Sequence, residues 1–549
     1  MVASSSSDRP VIVACVAIVV ALAIPMFFIG LGSWALADPD EPYYAVPAAE
    51  MLQTGTWQVP VFRGQPWFDK PILFYWLVLA NYRILGVSET SARLWSALAG
   101  LLGLVAVLAF GRRIGLCGWD ALVAPIVLAT SLGYALAARA AVTDMTLTLL
   151  ITAGMLATAR RLAGGGVGWA VLAGVAFGLA ALTKGPVAVL VPAMALCGYG
   201  LLTGRRDIAS VPSLAAGAAG FVVAAGPWYV YMAVAYPDLL VTTFLQEGNL
   251  GRFLRPEHAT FPFYYFVILA AALLPWSSAL PAALARAARA GSRAREGSAG
   301  QQPRELFLLC WFGSVILIFS LAASKLPSYI LPALPPAALL LAAYWQTRLA
   351  RPRPRRPAAL WSAVGGVALA TAAAAAAVWS VEDHGWQVAL TPALVAGGLV
   401  VAGSLLAVLA VARGSLQSLL VAQGATSAAT MLVILAAALP ALEPYHSTAP
   451  LVRQLRDACL TDEVVGAYRV SDVSLDFYLG RNPARAGRIR DLLAMARLNP
   501  GGIWVVRTQD VETLLADRRV LAELVQRGPN RSAMRMSERE PHASSTVGQ

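Results

Sequence analysis

The chain has 549 residues, of which 58% are hydrophobic and 13% charged, with a formal net charge of +12. A soluble domain carries about 25% charged residues, so a wholly soluble globular protein is excluded. The basic excess sits in short clusters between long apolar runs and reads as topology and contact with anionic lipid, which sets nucleic-acid binding aside.

An apolar run of roughly 20 residues crosses about 30 Å of hydrocarbon as a helix, which satisfies its own backbone there. In chain order, spans are expected near 11–36, 92–111, 119–138, 142–159, 168–183, 185–203, 212–235, 263–284, 305–323, 328–347, 358–380, 389–412 and 416–441. The reading is an all-α polytopic bundle of about thirteen transmembrane helices over residues 1–442. Ala35-Leu36-Ala37 has the look of a signal-peptidase site, but the run from Val11 to Leu36 is longer than a signal core and is taken as an uncleaved first span. Arg112-Arg113, Arg160-Arg161, Arg205-Arg206, the cluster Arg286 to Arg295 and Arg348 to Arg356 fall on one set of alternate loops. The positive-inside rule makes that side cytoplasmic, together with the N-terminus.

The opposite side receives a long loop, 37–91, rich in Trp, Tyr and Phe. Its stretch Pro71 to Leu85 is apolar but short for a span and is expected to lie along the interface. After 442 the composition turns ordinary, so residues 443–530 are expected to form a small extracytoplasmic α/β domain. Glu463 to Tyr468 and Ile503 to Arg507 read as strands and Val511 to Gln526 as an amphipathic helix, with 531–549 as a disordered tail. Cys15, Cys117, Cys197, Cys310 and Cys459 suggest no disulfide framework.

Ionisable residues at membrane depth are functional candidates because burying them is costly. The outward side holds Asp38, Asp40 and Glu41, then Asp69-Lys70, Arg139, Asp144 and Lys184. Glu247, Asn249, Arg252, Arg255, Glu257 and His258 share one loop, and Lys325 and Tyr329 another. Each has an ordinary reading: helix-start acids, surface pairs, loop anchors, an interfacial tyrosine. Their concentration on one face is what points to a site for an anionic, partly lipidic substrate.

The segments Asp40-Glu41-Pro42-Tyr43-Tyr44-Ala45, Ala49-Glu50-Met51-Leu52, Gly55-Thr56-Trp57 and Phe68-Asp69-Lys70-Pro71 resemble a known signature. So do Gly86-Val87-Ser88-Glu89, Ala92-Arg93-Leu94, Ala138 to Met145, Leu182-Thr183-Lys184-Gly185-Pro186, Asn249 to Phe253 and Ser324 to Pro332. The ordered set is similar to bacterial GT-C glycosyltransferases that use polyprenyl-phosphate sugars, the group of the aminoarabinose lipid A transferase, related to protein O-mannosyltransferases. The resemblance implies Asp40 and Asp144 as the acids of the cavity, with Glu41 beside them as a further catalytic carboxylate. It implies Lys70, Arg252 and Tyr329 at the donor phosphate, with Lys184 and Lys325 as further basic residues. Asp69 and His258 fall where a relative carries a metal. Two ligands are short of the four of a closed zinc site, so no cofactor is required on this reading and a divalent metal such as zinc is only a candidate. Tyr43-Tyr44 departs from the usual Arg-Tyr pair, and nothing after Pro335 matches a motif.

The implied activity is inverting transfer of a sugar from a polyprenyl (undecaprenyl) phosphate donor to an envelope acceptor, lipid A or another lipid or glycan, at the outer face of the bacterial inner membrane. The alternatives are transfer to protein Ser/Thr, as by a protein O-mannosyltransferase, and, from another class, a lipid transporter or flippase. The expected partners are the lipid-linked donor, the lipid or glycan acceptor and membrane lipids.

Overall fold

In the computed structural model the described residues are 9–538, apart from 114, 117, 206–207, 209, 257–260, 262, 297–303, 350–363, 366, 369–370, 373, 377–378 and 381–385. The chain is mainly helical, with a small sheet domain near its end. Among the described residues, seven helices are long and apolar enough to cross a membrane: Pro10–Phe28, Glu89–Arg113, Val211–Ala235, Arg304–Leu321, Pro327–Thr347, Leu390–Arg413 and Gln417–His446. These coincide with seven of the expected spans, and a multi-pass helical membrane fold follows.

Several other expected spans are interrupted. The stretch 119–138 is a 3-10 turn followed by the short helices Val123–Ala129 and Leu132–Ala137. The stretch 263–284 contains Tyr264–Ala272, then breaks at Leu274-Pro275 before Leu280–Glu296. Proline removes a backbone donor and crowds the preceding turn, which ends a helix. The helices Gly168–Lys184 and Val187–Thr203 meet at Gly185-Pro186. The expected span 358–380 falls largely outside the described residues.

The loop after the first span folds on an aromatic core shared with neighbouring helices. Helix Pro42–Thr54 packs on helix Leu73–Leu85 through Tyr44, which meets Phe74 edge-on at 5.3 Å and Tyr75 at 5.8 Å. Between them a hairpin of β1 (Val61–Phe62) and β2 (Gln65–Pro66) reverses the chain. Helix Leu73–Leu85 buries Phe74, Tyr75, Val78 and Tyr82 and leaves Ile84 and Leu85 exposed. That apolar exposure beside a packed face suits a helix lying in the membrane interface.

The C-terminal domain is a five-stranded mixed sheet in the order β4-β3-β5-β7-β6. Strands β3 (Val464–Tyr468), β4 (Ala484–Ala486) and β5 (Gly502–Arg507) run parallel, linked through helices Ser474–Leu479 and Ile489–Leu498. Strands β6 (Val520–Gln526) and β7 (Arg531–Glu538) close it antiparallel. Two expectations are corrected here. The helix read over Val511 to Gln526 stops at Ala516, and after a turn Val520–Gln526 forms β6. The tail read as disordered from 531 begins with β7, whose Ala533, Met534 and Met536 are fully buried. Its serine and arginine content disguised a core strand held by neighbours on both sides; residues 539–549 lie outside the described set.

This domain is bonded to the loop. Asp38 accepts hydrogen bonds from the amides of Val473 and Ser474 and from the Ser474 hydroxyl, capping helix Ser474–Leu479. Arg63, in the hairpin turn, pairs with buried Asp476 at 2.8 Å. Glu50 accepts from the amides of Arg63 and Gly64 and from the Asn482 amide group.

Candidate active site

Three segments are brought to one point by an aromatic stack. Phe68 lies face to face with Phe244 at 4.4 Å and edge-on to Trp228 at 5.2 Å. Phe244 also sits against Gly185, where a Cβ would come within 2.5 Å of the ring and where φ is +77°. Glycine alone suits both the left-handed backbone and the contact. The stack therefore joins the residue before Asp69-Lys70, the residue after Lys184 and the irregular helix Leu239–Gly251 that delivers Arg252. A fourth segment is tied in when the amides of Ser324 and Ala323 donate to the carbonyls of Arg252 and Phe253.

The charges then meet. Lys70 Nζ is 2.7 Å from Asp69 Oδ2, and Arg252 Nη1 is 3.4 Å from Asp69 Oδ1. Lys184 Nζ donates to Asp144 Oδ1 at 2.5 Å and lies 4.6 Å from the centre of the Tyr329 ring. Asp144 opens helix Thr143–Leu162 and Lys184 closes helix Gly168–Lys184, the termini where the helix dipole favours each charge. Asp40 is electrostatically coupled to Asp144, Lys184 and Lys70. Its side chain is exposed, and among the described residues its carboxylate makes no hydrogen bond or ion pair. Its surroundings exclude enough water, with Asp144 and Glu41 adding repulsion, to raise its carboxyl above the ordinary range against the pull of Lys184 and Lys70. Asp69 is held below that range: burial opposes ionisation, but Lys70 and Arg252 outweigh it. Burial first, then Arg252 and Lys184, depress the Lys70 ammonium despite Asp69.

Asp40, Asp69, Lys70, Asp144, Lys184, Arg252 and Tyr329 are thus one cluster. Three other candidates are engaged by partners outside this set. Glu41 is buried with Arg93, whose Nε and Nη2 each donate to it at 2.7 Å. The amides of Ala37 and Ala141 donate to the same carboxylate. With both oxygens engaged away from the cluster, Glu41 does not fit a catalytic role. Arg139 is buried and donates to the carbonyls of Met26 and Ile29 at the end of the first span. Lys325 donates to the Ala322 carbonyl in its own loop. Arg93, quoted only within a motif, gave no sign of its role because its partner lies 52 residues away.

A metal between Asp69 and His258 finds no support among the described residues: Asp69 is engaged by two cations, and no three His, Cys, Asp or Glu side chains cluster there. His258 and Glu257 lie outside the described residues. No step is routed through a metal.

Residues 12–243 match the dolichyl-phosphate-mannose-protein mannosyltransferase family. An undecaprenyl phosphate-alpha-4-amino-4-deoxy-L-arabinose arabinosyl transferase of Edwardsiella ictaluri is 33% identical over 327 residues, 58% of this chain and 57% of that one. The enzyme of the same description from Erwinia tasmaniensis is 34% identical over 325 residues, covering 58% and 56%. The match thus spans a little over half the length of these relatives. The crystal structure of ArnT from Cupriavidus metallidurans bound to undecaprenyl phosphate superposes with a TM-score of 0.77 at 22% identity, over 94% of this chain and 97% of that one. The chain has the ArnT fold. The resemblance carried by the motifs therefore holds in sequence and in architecture. The ArnT fold also takes in the C-terminal region, where no motif was legible, because the superposition runs nearly end to end.

Proposed function

We propose that the chain is an integral membrane glycosyltransferase that moves a sugar from a polyprenyl phosphate to an envelope acceptor, lipid A or another lipid or glycan. The carrying observation is the cluster itself: an exposed Asp40, without a hydrogen bond or ion pair among the described residues, is coupled to Lys70 and Lys184, with Arg252 on Asp69, in an ArnT-like bundle. In this reading about thirteen spans place the N-terminus in the cytoplasm and both the cluster and the C-terminal domain outside the bacterial inner membrane.

Lys70 and Arg252 hold the donor phosphate in competition with Asp69, whose 3.4 Å contact with Arg252 is the looser of its two. As the sugar–phosphate bond breaks, these cations offset the charge collecting on the departing phosphate, the electrostatic form of transition-state stabilisation. Asp40 takes the proton of an acceptor hydroxyl as general base, and its raised pKa makes it a better proton acceptor than an ordinary carboxylate. Attack from the face opposite the phosphate inverts the anomeric centre. Where the acceptor is already a phosphate, Asp40 and Asp144 orient it instead. Lys184 holds Asp144 in place through their ion pair, and Tyr329 covers Lys184.

The test is transfer from radiolabelled polyprenyl-phosphate sugars to total envelope extract, wild type beside Asp40→Asn. Label entering lipid or glycan only with the wild type supports the reading. Label in protein would redirect it to Ser/Thr acceptors, and no transfer by folded wild type that still binds the lipid would sink it.

A further inference from the structure

The C-terminal domain has a crevice of about 310 Å³ at one edge of its sheet, lined by Arg469, Asp472, Arg507, Thr508, Asn530 and Arg531 among others. That volume is at the lower end of small-ligand sites, about 300–1,000 Å³. Its place is topologically favoured. The chain leaves the carboxyl end of β3 toward β4 on one side and that of β5 toward β6 and β7 on the other. Parallel sheets open a binding crevice at this kind of reversal.

The chemistry of the crevice is specific. Strand β3 runs into Arg469-Val470-Ser471-Asp472 and β5 into Arg507-Thr508-Gln509-Asp510, the same Arg-x-x-Asp pattern twice. Tyr468 pairs with Val506, so Arg469 and Arg507 are level, and Arg507 pairs with Arg531 of β7. Three adjacent strands therefore set an arginine at one edge. Asp472 pairs with Arg531, and Asp510 Oδ1 lies 3.6 Å from Arg469 Nη1, which leaves one cation over. Arg507 is exposed and donates Nε to the Arg469 carbonyl at 2.6 Å; among the described residues its terminal nitrogens have no partner. Arg469 holds φ at +54°, an uncommon conformation for a non-glycine residue. The one guanidinium left without an acid stands beside two paired ones, and a guanidinium fork matches phosphate oxygens in pairs.

The crevice also abuts the membrane domain. Asn530 and Arg531 donate to the carbonyl of Tyr445 at the end of the last helix of the bundle. The next carbonyl, of His446, accepts from the amide of Asp38, two residues before Asp40.

We propose that this crevice binds the phosphorylated sugar headgroup of the acceptor, with Arg469, Arg507 and Arg531 around the phosphate and Thr508 and Asn530 at sugar hydroxyls. Its assignment to the acceptor rests on the transferase reading; its specificity for a phosphorylated sugar does not. The experiment titrates purified full-length protein in detergent with glucosamine 1-phosphate by calorimetry, wild type beside Arg507→Gln, with thermal melts as a control for folding. Wild type binds, Arg507→Gln binds about 10-fold or more weakly, glucosamine without phosphate does not bind, and Lys70→Ala leaves binding intact. No wild-type binding, equal affinity in Arg507→Gln, or loss in Lys70→Ala overturns the site. In transfer assays Arg507→Gln raises the acceptor KM by a similar factor and leaves the donor KM unchanged. An unchanged acceptor KM alongside weakened probe binding overturns the acceptor assignment in favour of a free phosphosugar. Probe binding by a wild type that transfers no sugar would refute the transferase reading and leave the phosphosugar site standing.

Discussion

Asp40 and Glu41 are adjacent, carry the same functional group and follow the same span, but they belong to two differently built regions. Behind the span, Glu41 and Arg93 have side chains 4% and 0% exposed. Arg93 also donates to the carbonyls of Leu31, Trp34 and Ala35 and stacks on Trp34 at 3.6 Å. Both charged groups there are fully matched, as a buried charge requires. In front of the span, Asp40 has no partner among the described residues, and Asp69 is shared unequally between Lys70 and Arg252. A saturated cluster holds a loop in shape; an unsaturated one has capacity left for substrate.

The sharpest way to break this contrast is to open the saturated region. Arg93→Ala leaves Glu41 buried without its cation and is expected to cost about 3–5 kcal/mol, seen as loss of folded protein and a collapsed melting transition in detergent. Survival with full activity would remove the distinction. Asp40→Asn is expected to lower kcat by about 100-fold or more with the melting temperature unchanged, since no contact is lost. Lys70→Ala is expected to weaken donor binding by roughly 10-fold or more through one charge-assisted hydrogen bond, read as a donor KM effect with the acceptor KM constant.

The smallest effect concerns the joint between domains. Burial raises Asp38 to about 6, Ser474 opposing and Asp472 reinforcing, with Arg531 pulling it down. The folded state thus holds this proton more tightly than an unfolded chain, whose Asp titrates near about 3.9. The resulting stability is fully present below about pH 4 and is lost as pH rises through about 6. Proteolytic release of the C-terminal domain is therefore expected to speed up modestly over that window, and Asp38→Asn to flatten the dependence.

Much of the site was legible because its residues break a pattern. Lys184 interrupts an apolar run, Asp69-Lys70 precedes a proline, and Arg252 sits in a polar loop, so hydropathy marks them one by one. Glu41 misled because local sequence cannot tell a free acid from one already claimed by a distant arginine. Strand β7 was missed for a related reason. Arg531 to Glu538 has no continuous apolar stretch, and its burial comes from pairing with β5 and β6. The sequence Val511 to Gln526 fits helix and strand alike until Arg518-Arg519 breaks it, and tertiary pairing made the choice.

By itself the sequence determined the membrane class, the positions of the seven long apolar helices and the short roll of candidate acids and bases. Those follow from transfer free energy, which is a local sum over residues. Tertiary structure alone decided which acid is open and which is saturated, and that Phe68, Phe244 and Gly185 draw distant charges together. It alone set three arginines on one sheet edge. Coulomb and hydrogen-bond energies act over a few ångströms of space, whatever the separation along the chain.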